Sequence, residues 1–402
     1  MVTTNGEFAM SSDPIVIVAA KRTPIGAFQG ALSGATAPQM GGTAIAAAIA
    51  DAGIAADDVD KVLMGCVLPA GLGQAPARQA AINGGIPTGT PTTTVNKMCG
   101  SAMEAIMLGY DAIRAGSASV VVAGGLESMS NSPYLLPKAR KGYRMGHQEV
   151  IDHMFFDGLQ DPWQGKMMGH FADATADKYG FSREAQDQFA IESVNRAQAA
   201  VADGTFAAEI APITISGRKA DVEVTADETP GTVSIEKIPN LRPAFNKEGT
   251  VTAATSSSIS DGAAATLLMT ASEAERRGLE PLATLVGHSS FAHEPAWFTT
   301  APVSAVKNLQ NSLGWTADDV DLYEINEAFA VVTMAAMHDV GLDHDKVNVN
   351  GGACALGHPI GATGARITTT LLYALRARGL KRGIASLCIG GGEAVAVGVE
   401  LI

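Results

Sequence analysis

The sequence predicts an α/β protein made of two related halves, and three observations carry that expectation. The order strand, tight turn, helix, strand occurs twice; each helix shows apolar residues at helical spacing and stops at a glycine; and each second strand is a buried apolar run that ends in consecutive glycines. In the first copy, Thr92 to Asn96 reads as a short strand, Cys99 follows in a turn, and Ala102, Ile106, Tyr110 and Ile113 stripe a helix ending at Gly116. Ser119 to Ala123 is then a buried strand running into Gly124 and Gly125. In the second copy, Val347 to Asn350 is a short strand, a glycine-rich turn carries His358, and Ile367, Leu371 and Leu375 stripe a helix ending at Gly379. Ile384 to Ile389 then runs into Gly390-Gly391-Gly392. Such units predict halves that each form a mostly parallel sheet covered by helices and pack against one another.

Between the copies the composition changes. A Met-rich stretch, PWQGKMMGHFADATADKYG, precedes an amphipathic helix beginning after Ser182, with Gln186 near the capping-box position, and a Pro- and Thr-rich run to Arg242 follows. This reads as an insertion, 130–254, serving as a lid or binding surface or as a purely structural domain. The expected organisation is a disordered tail (1–13), a first half in two parts (14–129 and 255–280) and a second half (281–402).

Composition limits the function. With 402 residues, 47% hydrophobic and 17% charged, the chain has enough apolar material for a large core. Its longest apolar runs fall well short of the ~20 residues that cross a bilayer, and residues 1–13, with Glu7 and no arginine, lack the pattern of a targeting signal. A formal charge of −13 disfavours nucleic acid as a partner. The one dense basic segment, Pro137 to Arg144, is either a solvated loop or an anion-steering patch. Four irregularly spaced cysteines form no disulfide framework, so the expected compartment is a reducing cytoplasm with free thiols. The cysteines and the eight histidines show none of the close pairings that structural zinc needs, so no metal site is expected.

Four positions carry chemistry. Cys99, between a strand and a helix, is expected near unpaired N–H groups and the positive end of the helix dipole, which favour a thiolate nucleophile. His358 stands in GGACALGHPIGATGAR, where Gly357, Pro359, Gly361 and Gly364 make a low-bulk turn that lets an imidazole reach a thiol and a carbonyl together. Asn326, in EINEAFA, is either a helix N-cap or a donor toward an oxyanion through its amide or a held water. Cys388 closes a strand just before Gly390, where backbone N–H groups can approach a ligand, although a plain hairpin is compatible with the same residues. Cys66 and Cys354 read as packing residues. Two thiols, an imidazole and an amide suit carbon–carbon bond exchange through a thioester, one thiol carrying the acyl group while another group moves a proton at carbon.

These motifs, VNKMCGSAMEA, EINEAFA, GGACALGHPIGATGAR and CIGGGEA in that order, resemble those of the thiolase family, and the resemblance runs from about Pro14 to Ile402. It implies a five-layered α/β/α/β/α sandwich of two duplicated halves with an inserted loop domain, assembled as a homodimer or homotetramer, with Gly71 to Gln79 near the dimer interface. It also implies an acetyl-CoA C-acetyltransferase of the acetoacetyl-CoA type, with coenzyme A thioesters as substrates, no cofactor and a place in fatty-acid metabolism. On this resemblance Cys99 takes the acetyl group, His358 accepts its proton, and Cys388 is acid and base at Cα of the second acetyl-CoA. His358 with an Asn326-bound water would hold one thioester oxygen, and the N–H groups of Cys99 and Gly390 the other. Ser257, Ala253, Met167, Met168 and Phe298 are the expected CoA and substrate contacts.

The chain departs from the family pattern in places. Thr255-Ser256-Ser257-Ser258 replaces a common Asn-Ala-Ser-Gly, Met167 stands where histidine is frequent, and Phe298 where methionine is. Ala102 and Glu104 replace a glycine and a lysine. Alternatives on the same fold are a broader-range 3-ketoacyl-CoA thiolase of fatty-acid degradation and an inactive lipid-binding subunit. Cys388 argues against a decarboxylating condensing enzyme, and a GGGEAVAVG that joins two strands argues against a nucleotide-binding oxidoreductase.

Overall fold

The computed structural model describes residues 13–402. Of the expected tail only Asp13 falls in that range, and it accepts the Ser272 N–H at 3.2 Å; the rest of the tail lies outside the described residues. The first half runs through β1 (Ile15–Arg22), β2 (Gly26–Ala27), α1 (Ala37–Ala52), β3 (Lys61–Gly65), α2 (Pro76–Asn83), β4 (Thr92–Val95), α3 (Ser101–Arg114) and β5 (Val121–Ser128). Next come a hairpin of β6 (Tyr134–Leu135) and β7 (Ile151–Asp152), helices α4 (Met168–Tyr179) and α5 (Arg183–Ala202), and a hairpin of β8 (Ile213–Ile215) and β9 (Val222–Val224). The chain then returns to the main sheet with β10 (Ser260–Thr270), followed by α6 (Ala271–Arg277). The second half contains β11 (Ala283–Ala292), α7 (Ala301–Leu313), β12 (Leu322–Ile325), α8 (Ala330–Val340), the single-turn α9 (Ala353–Leu356), α10 (Thr363–Arg378), β13 (Arg382–Ile389) and β14 (Glu393–Leu401).

Hydrogen bonding links the main strands in the order β12-β13-β14-β11-β1-β10-β5-β3-β4. The β1–β11 link consists only of Val16 with Thr284 and Ile17 with Ala283, so the path is two sheets joined at a corner. Alternation along the strands shows how the layers stack. Val121 and Ala123 of β5 and Ile15 and Ile17 of β1 face α3 and α10, whereas Val122, Val16 and Val18 face α1. On the second sheet Val395, Val397 and Val399 face α3 and α10, whereas Ala394 and Ala396 face α7 and α8. The result is five layers, α/β/α/β/α, with α3 and α10 in the middle and apolar side chains on both faces of each sheet. The central helices cross closely because Gly364 is bare: a Cβ there would lie 2.4 Å from the Met103 nitrogen.

Two local expectations are corrected. The sheets are mixed, not mostly parallel: β3 runs parallel to β4 and β5 and β12 to β13, but β1, β10, β11 and β14 pair antiparallel with their neighbours. The triple glycine after Ile389 turns the chain straight back into β14 as a hairpin, the arrangement its residues allowed. Val347 to Asn350 is a bridge to Tyr323 followed by a turn, not a strand. The Asn348 side chain takes the place of a ladder, accepting from the Ile325 N–H at 2.8 Å and donating to the Ile325 carbonyl at 2.9 Å.

The segment between β5 and β10 is tied to the sheet by buried charge. Arg22, at the end of β1, donates to Glu209 at 2.6 Å and to both oxygens of Asp227 at 2.7 and 2.8 Å, and all three are buried. Removing either acid would leave the buried cation with a single carboxylate partner and some of its N–H groups without an acceptor. Among the described residues no helix is long and apolar enough to cross a membrane.

Candidate active site

Both copies of the repeat point their turns at one cavity. Cys99 stands between β4 and α3, two residues before the helix starts, in a turn braced by its neighbours. The Asn96 side chain accepts from the Met98 N–H at 3.0 Å, and the Ser101 hydroxyl accepts from the Lys97 N–H at 2.9 Å and donates to the Met98 carbonyl at 2.6 Å. Met98 is held at φ 48°, a region that costs a non-glycine residue energy, so this turn is fixed by the surrounding structure. Lys97 pairs with Glu393 at 2.5 Å, anchoring the turn to β14.

His358 lies between α9 and α10. Its backbone N–H donates to the Ser258 carbonyl at 3.1 Å, and its Nδ1 lies 2.6 Å from the Thr363 hydroxyl, while Nε2 is buried without a protein partner. Gly390, in the β13–β14 turn, directs its N–H at the Cys99 sulfur. Cys99, His358 and Gly390 all line a cavity of about 210 Å³.

Asn326 follows β12. It is not a helix cap, because α8 begins at Ala330 with Phe329 at the cap position. Its backbone N–H donates to the Ser386 carbonyl at 3.0 Å, and both side-chain atoms are buried with no protein partner. Burying an amide unpaired is costly, which marks this side chain as one held for a ligand or a water. Cys388 is fully buried among Phe171, Phe298, Phe329 and Val332, within electrostatic reach of Cys99. Neither Asn326 nor Cys388 is on the cavity surface proper.

The electrostatics correct one expectation. The Cys99 thiol is not lowered but raised to about 11, because burial and the charge of Glu127 outweigh the Gly390 and Cys99 N–H groups. At neutral pH it is a thiol and needs a base. Burial, then the charge of Arg366, lower His358 to about 3, so its imidazole is neutral and its Nε2 lone pair is free to accept a proton. Burial and the nearby Cys99 also push Cys388 well up.

Residues 15–272 match the family description "Thiolase, N-terminal domain", and residues 279–401 match "Thiolase, C-terminal domain". The chain belongs to the thiolase family. It is similar to the acetyl-CoA acetyltransferase of Chromobacterium violaceum, 48% identical over 96% of this chain and 99% of that one. The protein of that name from Thiocystis violacea is 49% identical over 97% of this chain and 99% of its own. Among solved structures, that of the Bacillus anthracis acetyl-CoA acetyltransferase superposes with a TM-score of 0.96 at 40% identity, covering 98% of this chain and all of that one.

The cavity wall of this thiolase comes largely from the segment between β5 and β10. Met167 caps α4 and Met168 opens it, and both line the cavity with Ser257 and Phe298. Ala253 is exposed on a neighbouring turn and does not line it. The Ser257 hydroxyl donates to the Ala328 carbonyl at 3.1 Å. Sequence reasoning missed Phe245, Leu159 and Met129, which also line the cavity, and Phe329, three residues after Asn326 in a motif it had singled out. A signal for Phe245 existed in Gly169, where a Cβ would lie 2.2 Å from the Phe245 ring, but that pairing is visible only once the chain is folded. The Pro137 to Arg144 segment is exposed and not part of the wall. Cys66 and Cys354 are buried core residues.

Proposed function

We propose that this chain is an acetyl-CoA C-acetyltransferase that condenses two acetyl-CoA molecules to acetoacetyl-CoA and cleaves it in reverse. The observation that carries this reading is the pairing of a protonated Cys99 with a neutral, unpartnered His358 Nε2 on one largely apolar cavity. It is supported by relatives named acetyl-CoA acetyltransferase that match over nearly their whole length.

In the reaction, Cys99 Sγ attacks the thioester carbonyl as its proton passes to His358 Nε2, and the carbon–sulfur bond to CoA breaks. The departing CoA thiolate takes the proton of Cys388, leaving a Cys388 thiolate whose charge offsets the imidazolium. That thiolate removes a proton from Cα of the second acetyl-CoA, and the enolate attacks the acetyl carbonyl on Cys99. Cys99 leaves as a thiolate and regains its proton from His358. The thioester oxygens would be held by the Gly390 and Cys99 N–H groups and by His358 with Asn326, and losing one such donor typically slows a reaction about 10²–10³-fold. The same reading carries a cytoplasmic enzyme with acyl-CoA and CoA as its partners, no cofactor, and a homodimeric or homotetrameric assembly.

Thiolysis of acetoacetyl-CoA by wild type and Cys99→Ser, followed by loss of the enolate absorbance, tests this. Rapid wild-type cleavage that Cys99→Ser abolishes supports it. Equal or faster cleavage of longer 3-ketoacyl chains would move the protein to a broad-range degradative thiolase, and no cleavage of any chain length would remove the enzymatic reading.

A further inference from the structure

Glu127 is fully buried at the end of β5, and none of the steps above uses it. Its carboxylate holds two loops at once. Oε2 accepts the N–H groups of Val67 and Gly361, each at 2.9 Å, and Oε1 accepts that of Leu68 at 3.1 Å and lies 3.8 Å from Cys66 Sγ. Val67 and Leu68 belong to the first half, in the loop after β3. Gly361 belongs to the second half, three residues after His358. The carbonyl of Gly361 is confined as well: a Cβ on Gly125 would lie 2.0 Å from it, and one on Gly65 2.6 Å. The turn that carries the imidazole is therefore held by its N–H through Glu127 and by its carbonyl against two bare glycines.

We propose that Glu127 is a positioning residue: by holding the Gly361 N–H it fixes the turn that presents His358 to Cys99, and its carboxylate sets the local charge at the nucleophile. The activity arm of the test rests on the acetyltransferase reading; the thiol-reactivity arm does not. His358, from the loop before α10, lines the cavity with Cys99, while Cys388 on β13 and Glu127 on β5 lie within electrostatic reach of it; with His358 neutral and Cys388 protonated, Glu127 is the charge whose removal is readable at the thiol.

Glu127→Gln keeps the shape but puts an NH₂ where a carboxylate oxygen accepted: in place of Oε2 it takes the acceptor from Val67 and Gly361 together, in place of Oε1 from Leu68. The expected result is a kcat for acetoacetyl-CoA thiolysis lower by about 10- to 100-fold with KM changed by less than about threefold, the pattern of a displaced catalytic group. In the free protein, the pH midpoint for alkylation of Cys99 by iodoacetamide, read by mass spectrometry, should move down. Gly361→Ala attacks the same contact from the other side, since its Cβ would lie 2.5 Å from Glu127 Oε2. It should reproduce the kcat loss, and the double variant should be less impaired than the product of the two. A wild-type kcat in Glu127→Gln, a KM rise with kcat kept, or an unmoved alkylation midpoint overturns the proposal. Failure of both variants to fold overturns it too, because the contact would then be a requirement of the fold. If wild type does not cleave acetoacetyl-CoA, the acetyltransferase reading falls and the alkylation arm decides alone.

Discussion

The Nδ1 of His358 lies 2.6 Å from the hydroxyl of Thr363, the first residue of α10. That hydroxyl has a single proton, which it donates to the Pro359 carbonyl at 2.9 Å, so it accepts from Nδ1–H and leaves the lone pair on Nε2. Thr363→Val keeps the volume and removes the acceptor. The expected result is a kcat lower by about 10- to 100-fold with the fold intact, because the ring loses both its tautomer and its orientation. Thiolysis kinetics alongside thermal melting check this, and an unchanged kcat would show that the threonine does not select the tautomer.

With Cys99 near 11 and His358 near 3, neither group titrates between pH 5 and 9 in the free protein. The kcat/KM profile should therefore have no acid limb belonging to histidine. Glu127, which burial raises to about 7 against its three N–H donors, is the group coupled to Cys99 whose titration falls in that range. An acid limb near pH 6.5 that survives Glu127→Gln would contradict a neutral His358; one that disappears belongs to Glu127.

Gly125→Ala should displace the His358 turn from the first half, since the new methyl would lie 2.0 Å from the Gly361 carbonyl oxygen. Overpacking of this kind typically destabilises by about 1–3 kcal/mol. Displacing a catalytic group by 1 Å costs about 10²-fold in rate. Chemical denaturation and thiolysis measured on one preparation separate the two effects.

Phe298 is buried against Phe171 and Phe329, with ring centroids 6.4 Å apart in each pair, and walls the cavity. Phe298→Ala should destabilise the protein by about 3–5 kcal/mol and leave space beside the acyl site. The ratio of kcat/KM for a six-carbon over a four-carbon 3-ketoacyl-CoA should rise. A ratio that stays flat while stability falls would place the acyl group elsewhere.

Stability should also depend on Glu324, which burial raises to about 8 despite Arg366 at 3.8 Å. Its unfolded value is about 4.3. Between those two pH values the folded protein binds the proton more tightly than the unfolded chain, so this group's contribution is complete at low pH and is lost as pH rises toward 8. Glu324→Gln imitates the protonated form and should flatten the fall in melting temperature between pH 5 and 8. An identical slope in both proteins would show that another group governs it.

Much of this molecule could be read before it was folded. The repeat of strand, turn, helix and strand, the two turns bearing Cys99 and His358, and the hairpin at Gly390 are local patterns, and local patterns are what a sequence displays directly. What stayed hidden depends on partners distant along the chain. The protonation of Cys99 follows from burial and from Glu127, and the Glu127 contact to Gly361 spans 234 residues. Strand direction was misjudged because buried apolar strands read alike whether their neighbours run parallel or antiparallel, and those neighbours, such as β1 beside β10, lie far apart along the chain. The expected strand at Val347 to Asn350 failed because the Asn348 amide substitutes for backbone pairing. Phe245 escaped notice because its only cue was a glycine seventy-six positions earlier, at Gly169.

The two copies of the repeat are alike in outline and unlike in what they present: Cys99 stands before α3 in one, His358 before α10 in the other, and the Gly361 carbonyl nests between Gly65 and Gly125 of the opposite copy. Two identical copies docked this way would bring thiol to thiol or imidazole to imidazole. A donor facing an acceptor arises only once the halves have diverged, so asymmetry between near-twins is the origin of reactivity here. Separately produced halves should therefore regain activity only when both are present in the same tube.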